Sequence, residues 1–582
     1  MRISAALFLA LVLAPLSDLG CGGAPQAPGK PTSATGRDAG SPEASAAACA
    51  SDGGVLEADG GPFALTVTPI APVAMDDVTV FAHSQVVDQA GDPQVTALAP
   101  DMTIRALNHW DGYGRQPTDY DATYIDACHT GGIRIMGGQT TVTFGDEWSS
   151  GTFPTVVTRD SRGATIEHDD IYPKLYFGSW ASPTFRADLT AIGELQIDAG
   201  LDGIFFDVAD GDFTGASYDG DEGFDDGHLA DFNAYLLAKY PGADFATLFD
   251  MTPDNRLRAD LPAGDITCNF NYRRYLASKG WAGDPFSPNN PLGAEWQRAV
   301  NNRAPTSASL SFEPAVTYRQ FLQVTTDLRR YALQKYGRNI YITSNGLFPY
   351  VDFQSVGLYD GNDDGAGGSE ADYVPLLNSH LDGATSLKPT FLRLAAESAS
   401  LAPGAPVVLF VDWPSGPMTR FLGLPASERE DYWRIYAAEA YANGLYFAFF
   451  LADTVGDPTA TDLGLMPLYQ SLTTFYRAQQ SLYHHQTVSS LDLGIATVMS
   501  TVTDQAQPRR RLVHLVNHHY DAGLVEQQNI AVTVPVSGAP SSVTLVSPEL
   551  TGSTSLPFSY AGGQVSVTVP SLIAYDVVII DY

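Results

Sequence analysis

From about residue 77 onward, short apolar runs alternate with stretches whose apolar residues recur at helical spacing. The runs are 78–82, 104–107, 133–136, 203–206, 340–343, 355–358, 407–411 and 445–450. Nearly continuous apolar character, rather than strict alternation, marks strands buried on both faces. Helical patterns fall between them at 119–130, 183–199, 315–337, 389–401 and 427–443. In the last, Tyr432, Tyr436, Glu439 and Ala440 share a face, and Asn443-Gly444 supplies a C-terminal stop. Strand and helix alternating eight times predict an α/β chain closed into a (β/α)₈ barrel over residues 62–486. A doubly wound open sheet competes, but it usually carries a glycine-rich phosphate loop after its first strand, and none is evident.

The repeats are uneven. Residues 138–182 read as a hairpin plus loop. Residues 208–314 form a long insertion after the fourth strand, with helical patterns near 228–239 and 269–280. Long loops after barrel strands shape substrate sites. Beyond residue 487 the pattern changes to short alternating strands separated by Gly, Pro and Ser. This predicts an antiparallel β-sandwich over 487–582. Packing on the barrel is its plain role and sugar binding its sharper one.

The N-terminus is different again. Arg2 precedes an uncharged apolar run, Ile3 to Leu16, too short to span a bilayer but suited to a signal-peptide core. It ends at Ser17-Asp18-Leu19-Gly20-Cys21, which resembles a bacterial lipoprotein cleavage site, with Cys21 as the lipidated residue. Asp18 departs from the aliphatic residue usual there, and an ordinary secretory signal is the alternative. Residues 22–61 are rich in Gly, Ala, Pro and Ser and read as a flexible tether. The chain is therefore expected outside the cytoplasm: anchored by lipid at the outer membrane or cell surface, or else periplasmic or secreted. The lipid would be its only membrane contact.

With 66 acidic and 32 basic side chains, the formal charge is −34, which disfavours nucleic acid as a partner. Four cysteines cannot form a disulfide scaffold; a Cys128–Cys268 bridge is one option, and the spacing fits no zinc motif.

Barrel chemistry sits at the C-terminal ends of the strands. The residues there are His83, then Asn108-His109-Trp110-Asp111, Gly137-Gly138-Gln139, Asp207, Asn345, Asp360, Asp412-Trp413 and Asp453. Carboxylates, amides and indoles around one mouth fit a polyhydroxylated ligand, because indole and phenol rings stack on the apolar face of a sugar while the polar groups bind its hydroxyls. Trp110, Tyr113, Trp180 and Trp413 are the aromatic candidates. His109 either bonds a sugar hydroxyl or is a structural histidine. Substrate binding is thus assigned to His109, Trp110, Asp111, Tyr113, Asn345 and Trp413.

The stretch Ile197-Asp-Ala-Gly-Leu-Asp-Gly-Ile-Phe-Phe-Asp207 is the most informative. Its Gly200, Asp202, Gly203 and Asp207 match a Gly-x-Asp-Gly-x-x-x-Asp fourth strand. There the chain resembles (β/α)₈ glycoside hydrolases, with endo-dextranase-like and α-galactosidase-like groups nearest in feel. The similarity extends to Asn345-Gly346, to the helix Tyr432–Gly444 and to the trailing sandwich. In the α-galactosidase-like arrangement a fourth-strand Asp is nucleophile and a sixth-strand Asp is acid/base, which implies Asp207 and Asp360. Other groups place the second carboxylate on the seventh strand, here Asp412, and Glu370 is a third contender. A structural role for Asp207 is the competing reading.

Asp360-Gly-Asn362-Asp-Asp364-Gly365 also matches the first half of a calcium loop, but its twelfth position is Ala371 and Glu370 is one short. The glycine-rich acidic run after Asp207 (Asp210, Asp212, Asp219, Asp221, Asp225) could likewise hold Ca²⁺, with ligands unknown. No organic cofactor is expected. The reading is an exported glycoside hydrolase. Its main rival is a non-catalytic carbohydrate-binding lipoprotein on the same barrel, and a metal-dependent hydrolase comes third.

Overall fold

The computed structural model describes residues 68–86, 91–109, 114–167, 174–207, 223–240, 245–252, 270–299, 316–358, 387–411, 424–452, 458–484, 486–521 and 523–582. Strands β1 (Phe81–Val86), β2 (Met102–His109) and β3 (Met136–Thr140) are followed by the hairpin β4 (Val142–Phe144) and β5 (Leu175–Phe177). Then come β6 (Gly203–Asp207), β7 (Tyr341–Ser344), β8 (Gln354–Leu358), β9 (Val407–Val411) and β10 (Tyr446–Ala452). Helices are α1 (Pro93–Leu98), α2 (Ala122–Thr130), α3 (Pro183–Ala199), α4 (Asp226–Lys239), α5 (Phe245–Phe249), α6 (Tyr272–Lys279) and α7 (Gly293–Ala299). The remainder are α8 (Val316–Tyr336), α9 (Lys388–Leu401), α10 (Ala426–Ala442) and α11 (Met466–Ala478).

Eight parallel strands run in the order β7-β6-β3-β2-β1-β10-β9-β8. The end strands meet through a parallel bridge between Asn345 and Ser355, with Thr343 Oγ1 2.9 Å from Ser355 Oγ. The ring so formed is a (β/α)₈ barrel, with helices between successive ring strands except β7 and β8, which residues 345–353 join without one.

Two strands begin three residues later than their apolar runs. Asp101 Oδ2 accepts from the backbone N–H groups of Thr79 and Val80, at 3.0 and 2.9 Å, so the first ladder opens at Phe81. His83 therefore lies inside the strand, fully buried, with Phe410 at 5.0 Å between ring centroids, rather than at the rim. In the third run, Ile133 N donates to Cys128 O and Ile135 N to Asp202 Oδ2, which delays β3 to Met136. Gly137 then belongs to the strand because α3 presses on it: a Cβ there would lie 2.4 Å from Gln196 Oε1.

Helix α3 shows how the chain reaches the mouth. Ser182 caps its N-terminus through Phe185 N, Pro183 fits the first turn, and Phe185, Leu189, Ile192 and Ile197 are buried along one side. Gly200, at φ 104°, ends it in the left-handed conformation that glycine adopts without a Cβ clash. Three residues later β6 begins.

The insertion has its own aromatic core, with Phe224, Phe232, Tyr235, Tyr272, Tyr275 and Trp296 buried together. It is pinned to the barrel side by Asp225, which caps α4 and lies 2.5 Å from His228 Nδ1, with Ser179 Oγ 3.5 Å from the same nitrogen.

After β11 (Gln486–Ser490), β12 (Val498–Gln505), β13 (Arg510–Asn517), β14 (Gln527–Pro535), β15 (Ser542–Val546), β16 (Ser553–Ser555), β17 (Phe558–Ala561), β18 (Gln564–Leu572) and β19 (Tyr575–Asp581) complete the chain. They form a six-stranded sheet, β11-β12-β13-β19-β15-β16, and a three-stranded sheet, β14-β18-β17. Valines and isoleucines from both sheets share one core. The outer sheet alternates buried and exposed residues, whereas β13 and β19 are buried on both faces because the barrel covers the second one. Asn443, Glu439 and Lys388 fasten that contact, reaching Thr501, His518 and Ser500 respectively.

Cys128 is a buried free thiol on the barrel-facing side of α2, packed into the core. Cys268, the other member of the bridge considered, lies outside the described residues, as do Cys21 and the tether. Among the described residues, no helix is long and apolar enough to cross a membrane.

Candidate active site

Strand β6 sorts its side chains by alternation. Ile204 and Phe206 pack outward with Trp180 and Phe321 of α8; the Phe206 and Phe321 rings are 5.2 Å apart. Phe205 and Asp207 take the opposite face, inside the ring. Trp180 is accordingly a core residue, fully buried, and faces no ligand.

Asp207 ends β6 in register with Thr140 of β3. Its backbone oxygen accepts from Thr141 N at 3.0 Å and Thr141 Oγ1 at 3.2 Å, which fixes the strand end. Its carboxylate receives two donors. Arg105 Nη2, from β2, reaches Oδ2 at 2.8 Å, and Asn345 Nδ2, just past β7, reaches Oδ1 at 3.3 Å. Both oxygens accept, and the contact with Arg105 is an ion pair. The Arg105 and Asp207 side chains are 6% and 13% exposed, so the pair is largely withdrawn from water. Beneath it, the guanidinium lies 5.0 Å from the Phe205 ring, which contacts Phe410, which in turn packs on His83. Three strands thus converge on one carboxylate above an aromatic floor.

His109 lies elsewhere. It is the register partner of Gln139, which shares the outward face of β3 with Gly137, the face that meets α3. Residues 114–120 come up against it: a Cβ on Gly114 would lie 3.0 Å from His109 Cα. Its Nε2 is 3.8 Å from Glu147 Oε1, and Arg115 joins Glu147 at 3.1 Å to Asp188 at 2.9 Å. Burial, reinforced by the Arg115 charge, pushes the imidazole down to about 4, so it is neutral at pH 7. Its surroundings are those of an enclosed, uncharged histidine beside the barrel wall.

The structure therefore brings Asp207 and Asn345 together and sets His109 apart from them. Trp110, Asp111, Tyr113, Asp360, Glu370, Asp412, Trp413 and Asp453 lie outside the described residues. So do the calcium-loop candidate 360–365 and the acidic run 210–221; among the described residues no group of three or more His, Cys, Asp and Glu is placed to hold a metal. Arg105 is the residue that sequence reasoning passed over. A lone cation inside the apolar run Ile104–Leu107 was the available signal. For Arg115, Glu147 and Asp188, which meet only through folding, no local signal exists.

No protein-family model matches the chain, and no curated protein matches it either. Among solved structures it is similar to a cycloisomaltooligosaccharide glucanotransferase from Paenibacillus sp., at 11% identity and a TM-score of 0.49, covering 87% of this chain and 85% of that one. It is also similar to a maltogenic α-amylase from Thermotoga neapolitana, at 10% identity and a TM-score of 0.47, covering 87% and 99%. An α-amylase from H. orenii follows at 9% identity and a TM-score of 0.44, covering 87% and 100%.

Proposed function

We propose that the chain is an exported glycoside hydrolase in which Asp207 is the ionised carboxylate facing the anomeric carbon. The observation that carries this reading is the convergence of Arg105 and Asn345 on Asp207 at the mouth end of a (β/α)₈ barrel. Glycoside cleavage needs one ionised carboxylate and one protonated carboxyl at the leaving oxygen. Asp207, with both oxygens accepting, suits the first role and not the second.

The second carboxyl is assigned to Asp360, Asp412 or Glu370, in that order. Asn345, Trp110, Asp111, Tyr113, Trp413 and, less directly, His109 are assigned to the substrate. No organic cofactor enters the scheme; Ca²⁺ would serve the acidic loops rather than the bond cleavage. Export with a lipid on Cys21 belongs to the same proposal, and Cys21→Ala should move the protein from the membrane fraction to the soluble one.

Glycan-panel hydrolysis with wild type, Asp207→Asn and the three second-carboxyl variants tests the reading. Asp207→Asn should keep glycan binding and lower turnover by at least about a hundredfold. Measurable glycan binding with no cleavage by wild type would instead favour a non-catalytic binding lipoprotein. The variant whose pH–rate profile loses its basic limb identifies the acid. Its distance from Asp207 then sets the outcome: ~5–5.5 Å for retention, ~6.5–9.5 Å for inversion.

A further inference from the structure

Every neighbouring pair of strands in the ring shares a backbone ladder except β7 and β8, which end the strand order and meet, among the described residues, at isolated bridges around Ser355. A buried strand needs its N–H and C=O groups answered on both sides, so other contacts must close this seam. They do so at three levels. At the mouth, Gly346 N donates to Ser355 O at 2.8 Å. Midway, Thr343 Oγ1 donates to Phe353 O at 2.7 Å and lies 2.9 Å from Ser355 Oγ. At the base of the barrel, Asp352 N donates to Ile342 O at 2.8 Å, and Asp352 Oδ2 accepts from Ile342 N at 2.5 Å. One residue thus answers both backbone groups that Ile342 turns to the seam.

The same carboxylate gathers two further donors. Arg329 Nη2 of α8 reaches Oδ2 at 2.7 Å, and Val73 N reaches Oδ1 at 2.6 Å. Arg329 Nη1 also donates to Ile340 O at 2.6 Å, and Asn339 Nδ2 donates to Ala71 O at 3.1 Å. The Asp352 and Arg329 side chains are 0% and 3% exposed, so water cannot replace a lost donor without opening the seam. One of these donors comes from outside the eight repeats. Val73 belongs to the segment that precedes β1, and it packs on the barrel core near the buried Met75. At its other end the seam meets the candidate site: Asn345 N donates to Phe206 O at 3.0 Å, and Asn345 Nδ2 donates to Asp207 Oδ1 at 3.3 Å. At that length the second bond is near its limit, and a small slip of β7 forfeits it.

We infer that Asp352 is a positioning residue: with Val73 and Arg329 it clasps the β7–β8 seam at the base of the barrel and so holds Asn345 against Asp207 at the mouth. The segment ahead of β1 is then a working part of the site. The effect on turnover rests on the glycoside-hydrolase reading; the clasp itself does not. Val73→Pro in the full-length chain tests it, because it deletes one N–H and leaves the Asp352–Arg329 pair in place. Thr343→Val, which keeps the shape and removes the hydroxyl midway along the seam, is the second variant and should act in the same direction. Hydrogen exchange read by mass spectrometry and carbodiimide labelling of Asp207 are compared with wild type, together with kcat and KM on any glycan that is cleaved. Val73→Pro should speed exchange of the 341–346 amides about tenfold and leave those of Met136–Thr140 at wild-type rates. Labelling of Asp207 should rise, and kcat should fall about tenfold with KM unchanged. Unchanged exchange at β7 in both folded variants would overturn the clasp, as would equal acceleration in all eight strands, which marks a plain loss of stability. Faster exchange at β7 with wild-type labelling of Asp207 would overturn the hold on Asp207. If wild type cleaves no glycan, it is the glycoside-hydrolase reading that fails, and exchange and labelling still decide the clasp.

Discussion

At the scale of single residues, the Arg105–Asp207 pair ties β2 to β6 inside the ring. Each partner is nearly withdrawn from water, so removing one leaves the other charged and uncompensated. Arg105→Met should therefore cost ~3 kcal/mol of stability as well as activity. Combining it with Asp207→Asn should recover much of that loss, since no lone buried charge remains. Urea midpoints of the two single variants and the double variant decide it; strictly additive losses would show that the pair is not energetically coupled. The strand-end position of Asp207 was legible, because the carboxylate directly follows a buried apolar run. Arg105 was readable in principle as the single charge in an apolar run. The Arg115–Glu147–Asp188 chain was not, since its members sit on separate elements and nothing in their local spacing links them.

At the scale of elements, helices were legible nearly to the residue where caps spell them out. Ser182-Pro183 and Gly200 bound α3 at both ends, as predicted for 183–199. Strands were less so, because a strand's limits depend on which partner takes its N–H groups. Asp101 and Asp202 each claim N–H groups before a ladder starts, and no propensity records that. Gly200 has the most direct bearing on the site, since its turn launches the strand that carries Asp207. At φ 104° a side chain is strained although space is open, the nearest atom to a built Cβ being 3.4 Å away. Gly200→Ala should thus cost about 1 kcal/mol through conformation alone. Thermal unfolding checks this; an unchanged midpoint would mean that the turn relaxes into another conformation without penalty.

At the scale of the whole molecule, the sequence already offered packing on the barrel as the plain role of the C-terminal region, but not which strands would be buried on both faces by it. Strands β13 and β19 read as alternating only until the barrel covers their second face. The other face of β19, turned toward the space between the two sheets, buries an unusual carboxyl. Asp576 on β19 is 2% exposed, and one of its oxygens has no hydrogen-bond partner. Burial, opposed by Ser547 and reinforced by Glu549, pushes it up to about 7. An unfolded aspartate titrates near ~3.9. Between those values the folded chain keeps a proton that the unfolded chain has released. Stability must then fall as pH rises through that window and level off above 7. Asp576→Asn removes the titration while keeping the shape. It should be more stable than wild type by ~2–4 kcal/mol at pH 8, with the difference shrinking toward zero near pH 4. Denaturation midpoints across that range are the measurement. A gap that does not change with pH, or a variant weaker than wild type at pH 8, would place the cost of this buried group in packing rather than in a withheld proton.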